Sequence, residues 1–360
     1  MSAPVRLSVM GAGLIGKRHI EHILARPEAM LSSIVDPAPA ARELAVSLEV
    51  GWFPSFQDML SENRPEGVVV ATPNQMHVAN GMDCIAARIP ALIEKPLADD
   101  VVAAQTLVEA SERAGVPLLT GHHRRHNPMI QRAKAEIDSG RLGPIVSVHG
   151  MFWLIKPDDY FDVAWRREKG AGPVFLNLIH DVDLLRYLCG EIVAVQAAQS
   201  NRLRGNAVEE TAVIILHFVS GALGTVNVSD TIQSPWSWEF TAGENPAYSH
   251  TQETCYQIGG TRASLSIPQL DLWHHSSKAS WWAPIERERL RYEKADPLGL
   301  QIANFCAVIR GIATPVVSAR EGLKTLEVID AIKRATETGD LVSFWADHKG
   351  PTNRKCNEAL

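Results

Sequence analysis

Residues 5–19 read VRLSVMGAGLIGKRH: a short apolar run rich in strand formers, glycines at 11, 13 and 16, then the opening of a helical period. A strand that passes into a helix through G-x-G-x-x-G has a physical purpose. Gly11 permits a tight turn, Gly13 lets backbone N–H groups approach a pyrophosphate, and Gly16 lets the helix lie close to the strand with its N-terminus toward the phosphates. Leu14 and Ile15 complete the candidate phosphate-binding turn. The plain alternative is an ordinary glycine-rich strand-to-helix turn.

The same rhythm continues along the chain. VRLSVM (5–10), LSSIVD (31–36), GVVVAT (67–72), PALIE (90–94) and VPLLTG (116–121) read as strands separated by helical segments, the pattern of a parallel sheet wound with helices. Asp36 stands twenty positions beyond Gly16, at the end of the second strand. A carboxylate there accepts both ribose hydroxyls of NAD and repels the 2′-phosphate of NADP, so NAD is favoured over NADP. A helix N-cap before Pro37 is a second, compatible use of the same residue.

After Arg125 the pattern changes. A helix over roughly 128–139 precedes the long strand PIVSVHGMFWLI, and an apolar helix over 178–189 leads into a strand-rich region with a hairpin signal in HFVSGALGT. Two helices, LGLQIANFCAVIRG and SAREGLKTLEVIDAIKRATETG, follow. The expected fold class is α/β: a doubly wound parallel sheet of Rossmann type over residues 1–122, then an α+β domain dominated by antiparallel strands over 123–360.

Bulk properties agree. A length of 360 residues with 46% apolar composition gives room for two cores. A formal charge of -6 and a pI near 6.1 carry no footprint for nucleic acid or an anionic membrane, leaving a small-molecule partner as the expectation. The N-terminus lacks the features of a signal peptide and no run of eighteen apolar residues occurs, so a soluble, cytoplasmic protein is expected. Cys84, Cys189, Cys255, Cys306 and Cys356 are scattered without a C-x-x-C pair, which points to reduced, mostly buried thiols.

In an open α/β sheet, ligands sit beyond the carboxyl ends of the strands. Thr72-Pro73-Asn74 and Glu94-Lys95-Pro96 both fall at such ends. The bland account of Lys95 is a surface ammonium paired with Glu94, but neighbours on a strand point to opposite faces.

GAGLIGKRH, ATPNQMH, EKPLA, GHHRRHNP, GAGPVFLNLIHDVDLLRYL, QIANFCAVIRG and EGLKTLEVIDAI together resemble the Gfo/Idh/MocA oxidoreductases, the family of glucose-fructose oxidoreductase and inositol dehydrogenase. The resemblance covers essentially the whole chain. It implies a Rossmann domain and a C-terminal domain with a large, mostly antiparallel open sheet, one face of which makes a homo-dimer or homo-tetramer. It implies a cis Lys95–Pro96 bond, with Lys95 reaching the reacting hydroxyl and the nicotinamide. Thr72, Pro73, Asn74, His77 and Glu94 join the cofactor set. His180 is implied as the catalytic base, although a histidine near an apolar helix is ordinarily structural. Asp183 matches the family's aspartate three residues beyond it.

One departure stands out. Inositol dehydrogenase-like members carry aspartate four residues before the histidine, and this chain has Leu176 there; Asn177, three residues before, joins the catalytic candidates. An amide hydrogen-bonds a hydroxyl but supplies no negative charge. The implied chemistry is reversible, NAD-dependent hydride transfer between the nicotinamide and a secondary alcohol of a cyclic polyol, sugar or sugar derivative. His180 takes the hydroxyl proton and the Lys95 ammonium stabilises the alkoxide. Two alternatives stay open: a dihydrodiol dehydrogenase whose carboxylated cyclohexadiene cis-diol is held by Arg124, Arg125 or Arg166, and a non-catalytic NAD-sensing regulator.

The crossover HHRRHN (122–127) has histidines four apart, but adjacent guanidinium groups oppose a dication, so no metal is expected. By resemblance, Arg125 or Asn127 reaches the substrate. Tyr160, Trp165 and Arg166 precede the GAGP turn, which in relatives lies close to the substrate. Such rings pack on sugar C–H faces while an arginine donates to oxygens; the alternative is a core tryptophan beside a surface arginine. Trp236, Trp238, Trp273, Trp281 and Trp282 read mostly as sheet-face core or interface, with Trp281-Trp282 in a loop able to cover a pocket.

Overall fold

A computed structural model describes residues 3–168 and 170–344; Cys356 lies outside them. The other four cysteines are free and buried.

Six strands, β1 (Val5–Met10), β2 (Ala29–Val35), β3 (Gly51–Phe53), β4 (Gly67–Val70), β5 (Ala91–Ile93) and β6 (Leu118–Thr120), pair in the order 3-2-1-4-5-6, all parallel. Between them run α1 (Leu14–Leu24), α2 (Pro39–Ser47), α3 (Phe56–Glu62), α4 (His77–Ala86) and α5 (Val101–Ala114). β4 and β5 are buried along their whole length, as strands covered by helices on both faces must be. The order reverses between β1 and β4, so the crevice for a ligand opens where Gly11 and Thr72 leave the sheet.

The sequence pattern misses β3 and α3, which complete the edge of this sheet. β3 is only three residues long and too short to show a period; α3 starts at Ser55, whose hydroxyl accepts from the Asp58 N–H. The second strand also ends one residue early, at Val35, leaving Asp36 in the connection.

The chain then crosses through α6 (Pro128–Asp138) into a nine-stranded sheet. Its strands are β7 (Ile145–Trp153), β8 (Ile192–Ser200), β9 (Thr211–Phe218), β10 (Leu223–Ser229), β11 (Tyr256–Gly260), β12 (Ala263–Ile267), β13 (Asp271–His274), β14 (Glu286–Arg289) and β15 (Val342–Ser343). They run 14-13-12-11-7-10-9-8-15; β7 and β10 are parallel and the other neighbours antiparallel. Two short helices, α7 (Pro173–Leu176) and α9 (Trp238–Thr241), and the longer α8 (Leu178–Cys189) belong to this half.

A cut at residue 122 does not separate the packing, because α10 (Pro297–Ile309) returns to the first sheet. Its Ile302, Phe305 and Cys306 share a core with Leu7, Ile23 and Val69. α11 (Ala319–Thr338) bridges both halves: Leu323 and Leu326 pack beneath the parallel sheet, Ile329 and Ile332 in the core of the larger one. No helix among the described residues is long and apolar enough to cross a membrane.

Candidate active site

The glycine turn has the shape its spacing predicts. Gly11 has φ +91°, and a Cβ on it would stand 2.6 Å from the Ala71 carbonyl oxygen; one on Gly16 would stand 1.9 Å from the Gly11 oxygen. Gly13 is exposed, with no atom within 4 Å of where its Cβ would be. No side chain caps α1, so the first N–H groups of the helix, beginning at the exposed Leu14, have no side-chain partner and suit an anion. Asp36 is fastened beside this turn: one carboxylate oxygen accepts from the Ala12 N–H and the other from the Ala38 N–H, each at 2.8 Å. Each oxygen keeps lone pairs for further donors. The residues present therefore fit a dinucleotide.

At the ends of β4 and β5 the expected residues split into two kinds. Thr72, Pro73 and Asn74 leave β4 toward the crevice, with the Thr72 hydroxyl donating to Asn80 at 2.8 Å. His77 is instead fully buried and braces the protein: its ring nitrogens lie 2.7 Å from the Pro96 oxygen and 2.9 Å from the Thr72 oxygen. It shapes the crevice without facing it. Glu94 is likewise a brace, since its carboxylate meets His19 of α1 at 2.6 Å and packs over Gly121, where a Cβ would fall within 3.0 Å of it.

Lys95, joined to Pro96 by a cis bond, is free of the Glu94 pairing considered above. Its ammonium points to the second half of the molecule and donates to the Leu176 carbonyl oxygen at 3.4 Å. Thus the main chain, at the position where relatives carry an aspartate, receives the lysine. Burial lowers the Lys95 amine from 10.5; Glu94 and Glu239 oppose this and Arg124 adds to it.

His180 sits in the first turn of α8, buried, with its Nδ1 lacking any hydrogen-bond partner. Burial holds the imidazole well below 6.5, reinforced by the positive charges of Lys95 and Arg124 and by His123 and His122. It is a neutral base waiting for a proton. The Asn177 amide oxygen, three residues earlier, is also buried without a partner. Of the two acidic residues beside His180, Asp183 takes a two-pronged bond from Arg125 at 2.7 and 2.9 Å, and Asp181 accepts from the Tyr256 hydroxyl with one oxygen while the other lies 3.6 Å from Arg124 without a hydrogen bond. Burial pushes the Asp181 carboxyl up to about 7, against the pull of Arg124.

That pairing corrects the expectation for Arg125. Its guanidinium is spent on Asp183 and Glu321 and is buried away from the cleft, where it ties the crossover to α8 and α11. Asn127 caps α6 with its oxygen at the Met129 N–H and donates its amide to Glu244, and it lines a cavity of about 290 Å³ together with Glu244, Asp296 and Pro297. No group of three or more His, Cys, Asp or Glu among the described residues is arranged to hold a metal.

His180 opens on a cavity of about 160 Å³ whose far wall comes from the connection between β10 and β11. Trp238, Glu239, Glu244 and Tyr248 line it there, facing Arg18 of α1 and the crossover residues His123 and Arg124. Arg124 donates to Glu239 at 2.8 Å and lies 5.1 Å over the Trp238 ring, while His123 meets Glu244 at 2.7 Å. Trp238 is thus core and cavity wall at once. Trp281 and Trp282 are 98% and 93% exposed and cover nothing in this chain. Glu239 and Glu244 went unforeseen; the only signal was their place among the tryptophans of SPWSWEFTAGEN (234–245).

Tyr160, Trp165 and Arg166 form a stack of their own. The Arg166 guanidinium lies 4.2 Å over the Tyr160 ring and 5.7 Å from the Trp165 ring, and it donates to the Tyr160 carbonyl. Trp165 is exposed, not core.

Two family models match the chain: the NAD-binding Rossmann fold of the oxidoreductase family over residues 5–122, and the C-terminal domain of the same family over residues 130–266. The scyllo-inositol 2-dehydrogenase (NAD(+)) of Bacillus subtilis is 26% identical over 91% of this chain and 93% of its own length. The myo-inositol 2-dehydrogenase of Thermotoga maritima is 28% identical over 62% of this chain and 68% of its own. Among solved structures, the WlbA dehydrogenase from Bordetella pertussis, in complex with NADH and UDP-GlcNAcA, superposes with a TM-score of 0.75 at 25% identity, covering 95% of this chain and 99% of that one. With a glycine turn open for a dinucleotide, a lysine that reaches the main chain four residues before a buried histidine, and both halves matched, this chain belongs to the Gfo/Idh/MocA family of oxidoreductases.

Proposed function

We propose that the protein is an NAD-dependent dehydrogenase that oxidises, reversibly, a secondary alcohol on a cyclic polyol or sugar. When bound, NAD supplies the hydride acceptor. The free N–H groups of the first turn of α1, with Gly13 open beside them, suit its pyrophosphate. Asp36 suits its ribose hydroxyls and would repel a phosphate at the same place, which supports NAD over NADP.

The substrate's hydroxyl proton goes to His180, which is uncharged at neutral pH because of burial and the neighbouring cations. As the carbon gives up hydride, the C–O bond becomes a carbonyl, and the Lys95 ammonium holds the oxygen while negative charge develops on it. In the reverse direction the imidazolium returns the proton. Asn177, with an unused amide oxygen beside His180, accepts from a second substrate hydroxyl or from the imidazole.

The observation that carries the proposal is the reach of the Lys95 ammonium from one half to the Leu176 carbonyl oxygen of the other, four residues before His180, whose imidazole feels the lysine's charge. The carboxylated diol has less support, because Arg125 is spent on Asp183 and Glu321 and Arg124 is bonded to Glu239 through Nη2, with its Nε and Nη1 left without hydrogen bonds. A panel of inositols, pyranosides and cis-dihydrodiols tested with NAD checks the proposal. NAD reduction with a polyol or pyranose is expected, and reduction with the dihydrodiols alone would overturn it.

A further inference from the structure

We propose that Glu239 is the carboxylate that selects the substrate ring: it accepts hydrogen bonds from hydroxyls near the reacting one and turns away rings that carry negative charge. The inference rests on the dehydrogenase function above and adds a specificity residue to it.

The α8 side of the cavity offers an imidazole but no carboxylate in its lining: Asp183 is bonded to Arg125, and Asp181, which does not line the cavity, has one oxygen on Tyr256 and the other, without a hydrogen bond, 3.6 Å from Arg124. On the opposite wall stand Glu239, Glu244 and Asp296. Glu244 is fully engaged, with one oxygen on His123 and the other accepting from Asn127 and Trp238. Asp296 caps α10 at the Leu298 N–H and lies 3.7 Å from His22. Glu239 differs: one oxygen accepts from Arg124 at 2.8 Å, while the other, Oε2, is buried with no partner. A buried acceptor without a donor is costly, and a substrate hydroxyl removes that cost.

Position and charge agree with this role. Glu239 lines the same cavity as His180, and its charge is felt at the Lys95 ammonium. The cavity lining carries two guanidinium groups, Arg18 and Arg124, against three carboxylates, Glu239, Glu244 and Asp296. No surplus positive charge is left on that wall for an anionic ring. A neutral ring bearing neighbouring hydroxyls satisfies Oε2; a carboxylate on the same ring would meet it with like charge.

The test compares wild type, Glu239→Gln and Glu239→Asp with NAD against matched pairs of a neutral pyranose and its uronate. Glu239→Gln keeps an oxygen for Arg124, so a merely structural role leaves the preference between pair members unchanged. The expected result is a wild type that prefers the neutral member and a Gln variant whose KM for it rises about ten- to hundredfold, with the preference falling at least about tenfold. Glu239→Asp, which keeps the charge, retains the preference while KM rises; it decides the matter if the Gln variant does not fold, and loss of the preference in it would count against the role. An unchanged preference in the Gln variant, or a wild type that prefers the uronate, overturns the inference and leaves the dehydrogenase function standing. No turnover with any pair overturns both.

Discussion

The Glu94 carboxylate bonds His19 of α1 at 2.6 Å and accepts the Lys95 backbone N–H at 3.2 Å, leaving the Lys95 ammonium unpaired with it. This frees the lysine for the cleft and ties the helix after the glycine turn to the end of β5. Burial alone would raise the Glu94 carboxyl; the His19 bond and charge, and then Lys95, outweigh it and hold it at about 2. A carboxyl whose folded value lies below its ordinary 4.5 contributes stability that is complete above 4.5 and fades as pH falls toward 2. Glu94→Gln is expected to cost about 1.5–3 kcal/mol at neutral pH. In thermal melts the gap to wild type is expected to stay constant above about pH 5 and to narrow below it. A gap that widens on acidification would reject this account.

Lys95→Met removes the ammonium that reaches the Leu176 carbonyl oxygen at the end of α7, with little change in volume. By comparison with the loss of one donor to a developing oxyanion, kcat is expected to fall about 10²- to 10³-fold. NADH affinity, measured by fluorescence titration, is expected to hold within a few-fold, since the glycine turn and Asp36 are untouched. A variant with full turnover would remove Lys95 from the chemistry.

The pH profile follows from the same two groups. His180 must be unprotonated to act as a base, and its value lies well below 6.5, so the acid limb of kcat/KM for alcohol oxidation belongs below that pH. Lys95 must be protonated, and its value is lowered from 10.5, so the alkaline limb begins earlier than for an ordinary lysine. A plateau through neutrality is expected, and Lys95→Met is expected to lose the alkaline limb. An acid limb centred above pH 7 in the wild type would contradict the burial of His180.

The parallel sheet was readable from the sequence because β4 and β5, buried on both faces, are unbroken apolar runs, and because the glycine turn and Asp36 lie close together in the chain. Lys95 and His180 were singled out by the resemblance of EKPLA and NLIHDVDLL to the family and not by local spacing, which alone reads the one as a surface ammonium and the other as a structural histidine. Arg125 misled all the same. Its partners Asp183 and Glu321 lie 58 and 196 positions away, and nothing local marks a guanidinium as already spent. Glu239 was invisible on the same ground: Arg124 is 115 residues distant, and the connection from β10 to β11 has no period from which to tell its inner face. Closure of the cavity is a tertiary event, and short-range pattern does not contain it.

The Arg125–Asp183 pair predicts a stability defect without a specific binding defect. Both groups are buried, and Thr325 adds a bond to Asp183 at 3.1 Å. Arg125→Met strands a buried carboxylate, at an expected cost of about 3–5 kcal/mol. In denaturant unfolding the midpoint is expected to fall sharply, while the folded fraction keeps its KM for NAD. A KM for substrate raised tenfold with unchanged stability would restore Arg125 to the cleft.

The glycine turn separates folding from binding at adjacent positions. At Gly13 an added methyl meets nothing within 4 Å, so Gly13→Ala is expected to leave the melting temperature close to wild type. The methyl would stand on the exposed approach to the first N–H groups of α1, so the dissociation constant for NADH is expected to rise at least about tenfold as the pyrophosphate is held off the backbone. Gly16→Ala is different in kind. Its Cβ would lie 1.9 Å from the Gly11 oxygen, a contact relieved only by moving α1 away from β1 and, with it, the His19 that holds Glu94. Stability and binding are expected to fall together there. If Gly13→Ala instead unfolds the protein while Gly16→Ala is tolerated, the turn is held by contacts other than those that set its shape here.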